Sequence, residues 1–134
     1  LLSSKVPDMP REAFETPEFQ LGVFDGLSQK VQIEFLMESA EGMDQIKGDI
    51  DKMVSDWMNG DPEALSLVMN DGLDDPEIAE ALLYNRNANW VDGVVKRLDE
   101  PGQVFIAVGA GHLAGEKSVQ DMLSKRAYYV ERVR

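Results

Sequence analysis

Val104-Phe105-Ile106-Ala107-Val108 runs without a polar interruption into Gly109-Ala110-Gly111-His112-Leu113-Ala114-Gly115. An apolar run of that length, rich in β-branched residues and closed by glycines, predicts a strand buried on both faces. Gly109, Gly111 and Gly115 allow a sharp exit at the strand's carboxyl end, the edge where open α/β sheets bind ligands. His112 stands in that turn and is the one histidine of the 134 residues. An imidazole there can serve as a metal ligand or as an acid/base group near neutral pH. Residues 116–126 then predict a helix with Val119, Met122 and Leu123 on one face, and Tyr128 to Val133 a second strand. Together these segments predict a β-α-β unit with a parallel strand pair.

The preceding residues read as helical and acidic. Thr16-Pro17-Glu18, Asp61-Pro62-Glu63 and Asp75-Pro76-Glu77 repeat one start signal: an N-cap oxygen, a proline at the first helical position, and a carboxylate near the positive helix end. Gly26 and Gly60 read as stop signals. Helices are predicted at 17–25, 29–41, 43–59, 62–70 and 76–99, and the opening Leu1 to Arg11, with Pro7 and Pro10, as extended. In the third helix Ile46, Ile50, Met53, Val54 and Trp57 recur on one face. The expected fold class is therefore α+β: about five helices over residues 1–99, then the β-α-β unit over 100–134.

Charge narrows the partners. Residues 1–95 carry a net charge of −14 and residues 96–134 one of +2, giving −12 for the chain. Nucleic acid is not an expected partner, because phosphate binding needs clustered Lys and Arg; a solvated acidic surface is the plain reading. No apolar run approaches the ~20 residues of a membrane span. Without cysteine, disulfides, thiolate metal sites and cysteine nucleophiles are excluded.

The helix over 76–99 carries a second constellation. Its apolar stripe includes Ala79, Leu82 and Leu83 and resumes at Trp90, Val91, Val94 and Leu98, but the positions four residues past Leu82 and Leu83 are Arg86 and Asn87. An arginine inside a buried stripe is costly unless its charge is paired and its donors satisfied. Either the two side chains belong to a site, or Arg86 reaches the rim and Asn87 bonds a loop backbone.

Leu82-Leu83-Tyr84-Asn85-Arg86-Asn87-Ala88-Asn89-Trp90, Glu100-Pro101-Gly102, Val104 to Gly115, Ser118-Val119 and Tyr129 to Val133 closely resemble the C-terminal part of the TraB/GumN family, related to the Tiki proteins and erythromycin esterases. Phe14-Glu15-Thr16 with Gln20 is similar to that family's Leu-Glu-Thr-x-x-x-Gln segment. The resemblance implies a hydrolase-like scaffold with two Gly-x-x-His motifs and an essential glutamate, a metal-dependent peptidase in the Tiki branch, and brings the bacterial periplasm or cell envelope into view. Only the second Gly-x-x-His is present, Gly109 to His112. Asn85 stands where many members have glutamate, and Ala127 where many have glycine.

The resemblance implies the C-terminal part of a larger α/β hydrolase-like domain. Independently, two parallel strands alone cannot cover both faces of Val104 to Val108, so further strands are expected from an N-terminal half or a neighbour. The expected catalytic residues are His112 as acid/base group, Arg86 holding a carboxylate or oxyanion, and Asn87 orienting a neighbour. A divalent metal (zinc, manganese or cobalt) is the candidate cofactor, with His112 and Glu15 as candidate ligands. Only weak binding is expected from this segment, because one histidine is too few for a catalytic zinc. A carboxylate beside a helix N-cap is the plain account of Glu15. The substrate would be a peptide or small molecule, with no hydrolysis expected from this segment alone. An exposed strand edge predicts a homo-oligomer, or pairing with an N-terminal half. Two other readings compete: a non-catalytic helical binding module, and a dinucleotide-binding unit suggested by Gly109-x-Gly111-x-x-x-Gly115 and Glu131. Against the last, the third glycine is one position late and His112 occupies the turn that should hold a pyrophosphate.

Overall fold

The computed structural model describes residues 10–71, 73 and 75–133. Most of the extended stretch expected for Leu1 to Arg11 lies outside the described residues. Helices follow the start signals: α1 (Pro17–Asp25), α2 (Gln29–Glu41), α3 (Ile46–Asn59), α4 (Pro62–Met69), α5 (Pro76–Ala79), α6 (Asn85–Leu98) and α7 (Val119–Lys125). Short 3-10 turns lie at Gly42–Asp44 and Ala110–His112, and a π-helical turn at Glu80–Tyr84 joins α5 to α6. Thr16, Asp61 and Asp75 each cap their helix by accepting a first-turn backbone N–H. Gly60 closes α3 at φ +67°, a left-handed stop that glycine adopts without a Cβ clash.

The α+β expectation is overturned. Among the described residues there is no strand: residues 103–109 and 128–133 carry neither helix nor ladder, so the β-α-β unit reduces to α7 between two irregular segments. The physical reason is that a helix satisfies its backbone groups within its own sequence, whereas a strand needs a neighbour, and a lone pair of strands is marginal. The segment expected to be buried on both faces is open, with Phe105 77% exposed. The dinucleotide reading loses the strand on which its fingerprint depends.

Leu27 and Val31 pack on Ile78, with Phe35, Leu73, Ala81 and Leu82 around them. The α2 N-terminus is tied to α5 as well, since Ser28 donates its N–H and Oγ–H to the Glu77 carboxylate. Along α6, Trp90, Val91 and Val94 are buried, Val91 completely. The apolar face of α3 is not covered in the same way: Ile46, Ile50, Val54 and Trp57 are exposed, Trp57 at 72%. Among the described residues, no helix is long and apolar enough to cross a membrane.

Candidate functional site

The π-turn puts Arg86 and Asn87 at the start of α6, where two loops converge. From the N-terminal side, residues 14 and 15 dock on α6. The Phe14 ring stacks on Trp90 at 5.7 Å and lies against Gly93, where an added Cβ would come within 3.2 Å of the ring. A glycine inside a helix costs stability relative to alanine; here it leaves the slot that seats Phe14.

Glu15 follows, its side chain only 6% exposed, against 18% for Arg86. Arg86 donates Nε–H to Oε1 and Nη2–H to Oε2, both at 2.8 Å, and Nη1–H to the Leu82 carbonyl at 3.0 Å. Trp90 Nε1–H donates to Oε1 at 2.8 Å and Gln20 Nε2–H to Oε2 at 3.1 Å. Four donors thus fill the four lone-pair sites of one carboxylate. The Arg86 hydrogen bonds hold the Glu15 carboxyl below its ordinary range despite burial. The departure at Asn85 therefore does not leave Arg86 without an acidic partner; Glu15 supplies it from 71 positions upstream. The fork, expected to hold a carboxylate or an oxyanion, closes on this carboxylate.

The C-terminal loop brings His112. Gly111 and Gly115 sit close against α4: a Cβ on Gly111 would crowd Asn70 Oδ1 at 3.0 Å, and one on Gly115, at φ +77°, Ser66 Oγ at 3.1 Å. Ser66, nearly fully buried, donates to the Ala114 carbonyl and accepts from Asn70 Nδ2–H. Gly109 has no such constraint, since a Cβ there would touch only His112 at an ordinary 3.6 Å.

The His112 ring lies 4.4 Å from the Trp90 ring, and the Arg86 guanidinium is over the same indole at 5.1 Å. His112 and Arg86 therefore share one aromatic platform. Nδ1 of His112 is 2.6 Å from Oδ1 of Asn87, a side chain with 0% exposure, whose Nδ2–H donates to the Lys117 carbonyl at 2.8 Å. The loop-backbone bond anticipated for Asn87 is present, together with a bond to the histidine. Among the described residues no partner engages His112 Nε2. Burial first, then the Arg86 charge, push the His112 pKa below its ordinary value, with Glu15 opposing; the imidazole is neutral at pH 7.

The donor set does not suit a metal. Glu15 has no lone pair to spare, and among the described residues no three His, Cys, Asp or Glu side chains gather as ligands. Sequence reasoning passed over three contributors, among them Gln20, which stood in the Glu-Thr-x-x-x-Gln segment and donates to Glu15. Trp90, read as part of a buried stripe, was visible in the Arg-Asn-x-x-Trp spacing; Lys117, acting through its carbonyl, leaves no mark in side-chain chemistry.

No curated protein and no solved structure matches the chain. The family model of the TraB/PrgY/gumN family matches residues 5–132, a span that takes in the Glu15, Arg86, Asn87, Trp90 and His112 constellation and nearly all of the sequence. The chain belongs to the TraB/PrgY/gumN family.

Proposed function

We propose that the chain carries the acid/base part of a hydrolytic centre acting on a peptide or small-molecule substrate. The observation that supports it is His112: a neutral imidazole with one nitrogen on a buried amide and the other without a partner among the described residues. Through Nε2 it takes a proton from an attacking water and returns it to the leaving group, a role worth about 10²–10⁴-fold in rate. Arg86 and Glu15 act together to fix the indole on which His112 rests, while burial first, and then the Arg86 charge against the opposing Glu15, lower the pKa of the ring. Asn87 orients the ring. Zinc, manganese or cobalt would find in these residues one nitrogen donor, where a catalytic zinc takes three protein ligands, so no step is assigned to a metal.

Expressed from its natural gene, the protein is expected to cleave fluorogenic peptides or activated esters, with kcat/KM falling about 10²–10⁴-fold in His112→Gln. Equal activity in the variant, or none in the wild type, would reject the reading. The second reading, a non-catalytic helical binding module, draws on the uncovered apolar face of α3 with Ile50, Val54 and Trp57, and the absence of any turnover would favour it.

A further inference from the structure

We propose that Lys117 is a positioning residue: its backbone carbonyl, clamped against the π-turn, fixes the Asn87 amide and through it holds His112 as the Nδ1–H tautomer, leaving the Nε2 lone pair outward. The inference deepens the acid/base reading of His112 and rests on it for its purpose, while its readout is independent of turnover.

Asn87 is fully buried and makes two bonds. Its Nδ2–H group must face the Lys117 carbonyl, because the flipped amide would set oxygen against oxygen. Oδ1 is then the atom that meets Nδ1, and an acceptor there requires Nδ1 to carry the proton. A neutral imidazole in water favours the Nε2–H form, so the chain enforces the other one.

The carbonyl owes its place to the Lys117 side chain. Lys117 is a non-glycine residue at φ +54°, a left-handed conformation that surrounding structure must hold. Its ammonium pairs with Glu80 at 2.6 Å and lies 4.2 Å over the Tyr84 ring; both partners are on the π-turn. Its N–H donates to Asp121 Oδ2 at 2.9 Å, which ties the loop carrying Lys117 to the first turn of α7. The π-turn is thus the wall against which the His112 loop is braced, and π-turns recur at functional sites.

The test is a long-range proton–nitrogen correlation spectrum of the His112 imidazole in the ¹⁵N-labelled protein at pH 8. Wild type is expected to show Nδ1 protonated and Nε2 bare. Lys117→Met combined with Glu80→Gln, at surface-accessible side chains, is expected to make Nδ1–H the minor form, and Lys117→Arg with native Glu80 to retain it. Asn87→Leu is expected to release the ring too; should it fail to fold, the surface variants decide alone. A wild-type Nε2–H ring, or a double variant with unchanged nitrogen shifts, would overturn the proposal. An Nδ1–H ring in a protein that hydrolyses nothing would uphold it while removing the acid/base reading.

Discussion

Ala127 adopts φ +64° just after α7, where Ala127 N–H bonds the Ser124 carbonyl and Tyr128 N–H the Leu123 carbonyl. That is a Schellman stop with alanine in the place glycine fills without a Cβ clash. Ala127→Gly should therefore raise stability by about 1 kcal/mol, the scale of the left-handed penalty, read as a higher urea midpoint; an unchanged or lower midpoint would contradict the strain. Glu15 illustrates the opposite case, a side chain whose surroundings exceed what its type requires. Its folded pKa lies below the ordinary 4.5, so its contribution is complete above that value and is lost as pH falls through the folded one. Glu15→Gln leaves Arg86 without its countercharge and should cost about 3–5 kcal/mol at pH 7, with a smaller loss of stability on acidification below pH ~4.5. A wild-type slope in the variant, from urea unfolding at several pH values, would move that acid sensitivity elsewhere.

Among the elements, helix starts were legible because capping is local: Thr16, Asp61 and Asp75 act within three residues of themselves. Which helix face is buried was not. Ile78 and Ile50 both sit on apolar stripes, yet Ile78 is 2% exposed and Ile50 49%. Ile78→Ala should cost about 2–5 kcal/mol and Ile50→Ala within about 0.5 kcal/mol, compared by thermal melting. Equal costs would mean that the α3 face is covered in solution. The π-turn was likewise illegible. A 3.6-residue stripe through Leu82 and Leu83 predicts apolar side chains at 86 and 87; the wider turn at Glu80–Tyr84 precedes that point, and Arg86 returns a donor to the Leu82 carbonyl within it.

At the scale of the molecule, the net charge of −12 sets how it meets cations. A divalent ion is drawn to the acidic surface as a whole, an attraction that salt screens, while Glu15 is saturated and His112 offers a single nitrogen. Calorimetric titration with zinc should therefore give weak, salt-sensitive binding that His112→Ala barely changes. One tight equivalent, lost in His112→Ala, would show a ligand set that these residues do not display.

The sequence by itself determined the helices, their caps, the acidic surface and the family, since each is written in local spacing or in short motifs. It also marked Arg86, Asn87 and His112 as residues out of keeping with an apolar stripe and a plain turn. Only the tertiary structure decided what they touch. The partner of Arg86 lies 71 positions away and that of His112 lies 25, and no local pattern encodes such distances. The strand expected at Val104–Val108 failed for the same reason in reverse. An unbroken apolar run states what a segment could bury, but a ladder exists only where a second segment offers its N–H and C=O groups, and among the described residues none does.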